Sequence, residues 1–265
     1  MQFKDQLNNV FELNNTPKRI ISLVPSITEL LVDLGLEESV VGVTKFCVHP
    51  NYIKNEKNIV GGTKTIHFDK IIELQPDFII CNKEENTKEI VSICKEVTNT
   101  YISDIQTIED ILKLIHQFGE IFSCKEKAQE ITISISEKYN NFLDFIHPQQ
   151  IINVVYFIWK NPWMVAANNT FINHLLHINK LENIFSKKER YPEIYLESVS
   201  EIDKLDAILL STEPYPFQEK NILELQKKFS HSKIILVDGE FFSWYGTRLL
   251  KAFDYFKKLR NKIIQ

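Results

Sequence analysis

The chain lacks most of the marks of reactive or nucleic-acid-handling proteins. Its four cysteines, Cys47, Cys81, Cys94 and Cys124, have no C-x-x-C spacing, which argues against a zinc site or a redox pair and leaves small buried thiols as the expectation. No apolar run is long enough to span a bilayer. Gly61-Gly62 sits in no G-x-G-x-x-G or P-loop pattern, so nothing points to a phosphate cradle. G-x-S-x-G and H-E-x-x-H are missing and no nucleophile–base pair is evident, so the expectation is a protein that is not an enzyme. With 31 basic and 35 acidic residues, net charge −4 at pH 7, there is no basic surplus to attract nucleic acid or an anionic membrane. The start, Met1 to Val10, has neither the apolar core nor the small-residue cleavage site of a secretory signal. A native chain that stays in the cytosol and one from which a signal was removed both fit.

What is present is a sequence said twice. Asp69, Ile71, Glu73 and Leu74 match Glu197, Val199, Glu201 and Ile202, and Asp77-Phe78-Ile79-Ile80 matches Asp206-Ala207-Ile208-Leu209 after a one-residue insertion. Each copy reads as a short helix running into a buried strand. The period is too long for a solenoid and suggests two similar lobes, hence a cleft.

Around these copies, strand and helix alternate. Strands are predicted at 19–24, 40–44, 78–81, 100–103, 151–159, 207–210 and 233–237. Helices are predicted after Ser26, at 89–96, from Thr107 to Gly119, at 171–178, at 221–229 and after Gly246. Ser26-x-x-Glu29 and Ser123-x-x-Glu126 have the capping-box pattern, and Gly35 is placed to end the first helix. This order argues for parallel sheets covered by helices. Residues 123–146 contain no glycine or proline and carry Ala128, Ile131, Ile135, Tyr139, Phe142 and Ile146 at helical spacing. An ordinary surface helix would read the same way; its place between the two copies favours a bridging helix. The expected organisation is an N-terminal α/β lobe over 1–122, a bridging helix over 123–147 and a C-terminal α/β lobe over 148–265.

Four segments carry a family resemblance: Pro17–Gly35, Val40–Pro50, the paired repeat, and Asp238–Leu250 (Asp-Gly-Glu-Phe-Phe-Ser-Trp-Tyr-Gly-Thr-Arg-Leu-Leu). In this order, with a long helix between, they resemble the substrate-binding proteins of ABC importers for iron-siderophores, haem and cobalamin, and among these the cobalamin-binding members. The resemblance runs from about Pro17 to the C-terminus. It implies two Rossmann-like α/β lobes with a ligand cleft, bridged by one long rigid helix. It implies no intrinsic cofactor, a corrinoid or ferric chelate as ligand, an ABC permease as partner and a periplasmic or cell-envelope location; a monomer is expected. It also implies that Asp69 and Glu197, the first residues of the two copies, dock onto permease arginines. As acidic residues at helix N-termini, the two also fit a plain helix-dipole role. A cytosolic corrinoid or iron-chelate binder on the same fold, without a transporter, is the alternative that fits the missing signal.

Loops at strand C-termini should line the ligand site. They hold Trp159, Trp163 and Trp244 with Phe46, Tyr215, Phe217, Phe242 and Tyr245, aromatic faces on which a flat macrocycle could stack, unless they simply pack on one another. His49, before Pro50, could stack, hydrogen-bond or ligate cobalt or iron axially, although a lone loop histidine is ordinarily just solvated. Glu240 and Trp244 carry over from the family as contacts to the ligand's polar edge. The expected ligand set is Phe46, His49, Trp159, Trp163, Glu240, Phe242, Trp244 and Tyr245. The cationic candidates in these loops are Lys45, Lys64, Lys83 and Lys160, which leans toward a neutral or weakly charged ligand rather than a polyanionic siderophore. His174 and His177 lie i, i+3 on a helix, with no third metal ligand evident nearby.

Overall fold

Strand and helix alternate in the computed structural model, which describes residues 1–196 and 205–265. The chain opens with an antiparallel ribbon, β1 (Gln2–Lys4) and β2 (Val10–Glu12). There follow β3 (Ile20–Ser22), α1 (Pro25–Asp33), β4 (Val40–Val43), α2 (Ile53–Glu56), β5 (Asn58–Ile59), α3 (Phe68–Glu73), β6 (Phe78–Asn82), α4 (Lys88–Val97), β7 (Thr100–Ser103) and α5 (Ile108–Ile121). After α6 (Lys125–Ile146) come β8 (Ile152–Trp159), β9 (Trp163–Val165), α7 (Phe171–Ile178), β10 (Leu181–Asn183), β11 (Glu193–Ile194) and β12 (Ala207–Ser211). The chain ends with α8 (Glu219–Gln226), β13 (Lys233–Val237), α9 (Gly239–Ser243) and α10 (Leu249–Ile264).

Two compact units result: residues 1–135 with 245–248, and residues 136–244 with 249–265. The division falls inside α6, a 22-residue helix about 33 Å long at ~1.5 Å per residue. The first unit is built on a five-stranded parallel sheet in the order β5-β4-β3-β6-β7. Its strands β3, β6 and β7 are rich in β-branched and aromatic residues and buried along both faces, the signature of a parallel sheet covered on both sides. The second unit has the order β11-β9-β8-β12-β13, with β10 beside the first half of β8; β9 runs antiparallel to both β8 and β11, and the other pairings are parallel. The antiparallel edge was not anticipated, because the 160–165 segment reads as loop; Asn161-Pro162, joined by a cis peptide, turns the chain back as a tight hairpin.

The repeat has a structural meaning. Its first copy folds as α3 and β6; of the second, β12 is described and residues 197–204 lie outside the described residues. β6 pairs with β3 and β7, and β12 pairs with β8 and β13, so each repeat strand lies beside the first sheet strand of its unit. The repeated aspartates do the same work. Asp77 accepts the backbone N–H of Lys18 and Arg19, both at 2.8 Å, and donates its own N–H to Arg19 O at 3.0 Å. Asp206 accepts the N–H of Asn153 at 2.7 Å and donates its N–H to Asn153 O at 3.0 Å. Each fixes the register of a buried strand at its entrance.

Three local readings are corrected. Neither predicted serine cap forms: α1 starts at Pro25 without a side-chain cap, and Glu29 pairs with Arg248 instead; Ser123 bonds Thr16 at 2.8 Å. A capping box does form at Thr107–Asp110 on α5. Gly119 does not stop that helix. It lies inside α5 because a Cβ there would come within 2.6 Å of Ala128 Cβ on α6, so the absence of a side chain permits the close approach. Gly35, at φ +81°, ends α1 as expected.

Candidate functional site

The carboxyl ends of the parallel strands carry polar loops shaped by buried amides. In the first unit, Asn82, at the end of β6, donates to Ser103 Oγ at 3.0 Å and accepts the N–H groups of Glu84 and Glu85 at 2.8 and 3.1 Å. Asn86 accepts the N–H of Asn82 at 2.8 Å and donates to Thr63 O at 3.0 Å, tying the 83–87 loop to the 61–65 loop. The β4 loop presents Phe46, 49% exposed, with Lys45 Nζ 5.1 Å from its ring centre. Gly62 abuts that ring, since a Cβ there would lie 3.1 Å from Phe46 Cε2. His49 is half-buried in the same loop, its imidazole in the field of Glu29. Among the described residues no group of three or more His, Cys, Asp or Glu is placed to hold a metal ion.

Tyr245 belongs to this unit. It is buried, its hydroxyl 3.3 Å from Ser103 Oγ, and burial raises its phenol well above the usual range. Next to it, Arg248 makes a two-pronged bond to Glu29 at 2.9 and 3.0 Å, and Thr247 bonds Asp33. Burial lifts the Glu29 carboxyl above its ordinary value against the pull of Arg248. With side chains 7% and 13% exposed, this pair is far more strongly coupled than a surface one.

In the second unit the strand-end loops form a continuous aromatic series. Trp159, at the end of β8 and 38% exposed, meets the edge of Tyr215 at 5.6 Å. Tyr215 lies 4.6 Å from Phe217, which stacks on Trp163 at 5.9 Å and 12°; Trp163 meets Phe157 edge-on at 5.1 Å. Lys160 Nζ lies 5.4 Å from the Trp163 ring and pairs with Glu224. Trp159 is thus an open indole on a stacked foundation. The rings therefore pack on one another, and Trp159 is the member left most open.

Phe242 leaves the candidate set. It is fully buried between Tyr156 (5.0 Å) and Phe256 (4.9 Å), an apolar anchor of α9 on β8 and α10. Its sequence position looked like loop because the five-residue α9 is too short to show a period. Glu240 is half-buried in the first turn of α9, its N–H held by the Asp238 side chain at 3.0 Å. Trp244 is buried, and its indole lies close to the Glu213 carboxylate. Glu213 opens a loop, 213–217, that the sequence places among those lining the ligand site, but nothing singles the residue out: a glutamate before proline gives no periodic or motif signal. Asp69 is exposed in the first turn of α3; Glu197 lies outside the described residues. A cavity of about 840 Å³ at the start of α6, lined by Met1, Phe3, Glu120, Cys124 and Lys125, contains none of the candidate residues.

Comparison with known proteins agrees with this architecture. An uncharacterized ABC transporter substrate-binding lipoprotein of Bacillus subtilis is 22% identical over 260 residues, covering 94% of this chain and 82% of its own. A vitamin B12-binding protein of Vibrio campbellii is 26% identical over 188 residues, 70% and 68% of the two chains. The solved structure of a periplasmic vitamin B12 binding protein of Vibrio cholerae superposes with a TM-score of 0.81 at 20% identity, covering 94% of this chain and 99% of that one. The sequence profile described as periplasmic binding protein matches residues 20–236, and the chain belongs to that family.

Proposed function

We propose that this chain is the solute-binding component of an ABC importer and that its ligand is a corrinoid or a similar flat, weakly charged metal chelate. The observation that carries the reading is the Trp159–Tyr215–Phe217–Trp163 series at the strand ends of the second unit. A rigid, supported aromatic face stacks on a macrocycle with little conformational entropy to lose. The likeness to a vitamin B12-binding protein and to an ABC transporter substrate-binding lipoprotein supports this ligand class and a transporter partner. In the second unit Glu240 would add a polar contact and Trp244 an apolar ring; in the first, Phe46 would offer a ring and His49 an imidazole for a metal. Asp69 and Glu197 would meet arginines of the permease, a charge match that governs orientation and on-rate more than affinity.

The test is titration with cobalamin, cobinamide, haem and a ferric hydroxamate, reading tryptophan emission and the ligand's visible spectrum together. Saturable sub-micromolar binding of a corrinoid, weakened in Trp159→Ala, is expected. Binding of haem or the hydroxamate alone would replace the ligand class, and binding of none of the four would remove it. A His49→Ala complex with an unaltered visible spectrum would dismiss the axial role.

A further inference from the structure

The loop after β12 carries a carboxylate whose bonds are too organised for a surface side chain. Glu213 Oε1 accepts from Ser243 Oγ at 2.7 Å, and the indole of Trp244, the next residue, lies close enough to the same carboxylate to favour its charged form. Its backbone is pinned as well: Ser211 Oγ, which accepts from Tyr156 at 3.0 Å, bonds Glu213 O at 2.5 Å. Thr212 Oγ1 accepts the N–H of Gly239 at 2.9 Å. Gly239 must lack a side chain, because a Cβ there would fall 2.4 Å from Glu213 Cγ and 2.5 Å from Ser211 Oγ. Loop and helix are therefore fitted to each other around this one side chain. The charged groups facing it are carboxylates, Glu240 and Asp238 of the α9 turn; Tyr156 on β8 and Tyr255 on α10, the other titratable groups packed nearby, are held neutral by burial.

We propose that Glu213 is the positioning residue that fixes the Trp244 indole and thereby tunes ligand affinity. The inference rests on the proposed function in taking Trp244 as a ligand contact; the hold on the indole does not. An ionised carboxylate binds both donors strongly, whereas the protonated acid has its charge removed and holds the indole less well. Burial, with Glu240 and Asp238 nearby, lifts the Glu213 carboxyl above its ordinary value of 4.5, outweighing the Ser243 bond and the nearby Trp244 indole. The indole should therefore loosen on acidification at a pH above that ordinary value.

The experiment is a pH titration of the unliganded protein, taking the Trp244 component as the difference between wild-type emission and that of Trp244→Phe. A transition with its midpoint above 4.5 is expected, and Glu213→Gln should abolish it. In the bound state, with whichever of the four test ligands binds, Glu213→Gln should weaken affinity about tenfold, the scale of one charged hydrogen bond, and flatten its pH dependence. Placed on Trp244→Phe, the same substitution should add nothing. An unchanged Trp244 transition in Glu213→Gln, or a full tenfold loss without the indole, overturns the proposal. Should Glu213→Gln lose its far-ultraviolet dichroism, Ser243→Ala serves instead: it removes one donor, and the midpoint should move up, an unmoved midpoint counting against the idea. If no ligand binds, the proposed function falls while the unliganded titration still decides the role of Glu213.

Discussion

The two units divide the chain's reporter side chains completely. All four cysteines lie in the first and all three tryptophans in the second. They also differ in how they keep a buried arginine. In the first unit Arg248 faces a carboxylate, Glu29, in a two-pronged ion pair. In the second, Arg260, 1% exposed, meets backbone carbonyls: Asn179 O at 3.0 Å, Lys180 O at 3.3 Å and Gln150 O. Its Nε has no partner among the described residues. The first arrangement neutralises charge with charge. The second spends the cation on the carbonyl end of α7 and the turn after α6, where helix dipoles favour positive charge. One fold plan, repeated, thus solves the same physical problem in two ways, and the reporters allow each solution to be read separately.

The largest expected effect breaks the first arrangement. Arg248→Ala leaves Glu29 buried and unpaired, a loss of about 3–5 kcal/mol. In urea, thiol labelling should advance to lower denaturant ahead of the tryptophan signal, and coincident shifts of the two would show that the units unfold as one. Replacing both partners, Arg248→Met with Glu29→Leu, should recover most of the loss. Arg260→Met should lower stability by about 2–3 kcal/mol, since it orphans carbonyls rather than a charge, and should move the tryptophan midpoint first. An effect as large as that of Arg248→Ala would erase the contrast. Thr107→Ala removes the α5 capping box, and thiol labelling should report a loss of about 1 kcal/mol.

The smallest effect concerns acid. The folded value of Glu213 lies above its ordinary 4.5, so its contribution to stability is complete below that value and is lost as pH rises through the folded value. Glu213→Gln should therefore gain melting temperature relative to wild type between acid and neutral pH. A difference constant with pH would mean that the carboxyl titrates alike in the folded and unfolded chain.

Much of the architecture was legible because it is local. β7 and β13 span Thr100–Ser103 and Lys233–Val237 as read, and α7 spans Phe171–Ile178, each bounded by strong punctuation. β1 and β2 were missed because three-residue strands carry no usable period, and α9 for the same reason. Among the candidates, Trp159, Trp163 and Tyr215 were picked out as aromatics gathered in loops, and they fall in one ring series. Glu213 was not picked out, because its partners lie 30 and 31 residues away and nothing near it in sequence announces them.

The sequence by itself determined the alternation of elements, the long helix 125–146 and the duplicated plan with its paired aspartates, because periodicity and turn chemistry act over a few residues. Tertiary structure decided which of two adjacent aromatics became core. Phe242 is buried among Tyr156, Tyr255 and Phe256, whereas Phe241 stacks on Tyr255 while remaining half-exposed. It also decided that Glu29 should answer an arginine 219 residues away rather than cap its own helix, and that Tyr245 should join the first unit while Trp244 stays in the second. Burial and pairing depend on what the rest of the chain brings alongside, and that is set by packing across hundreds of residues rather than by neighbours in sequence.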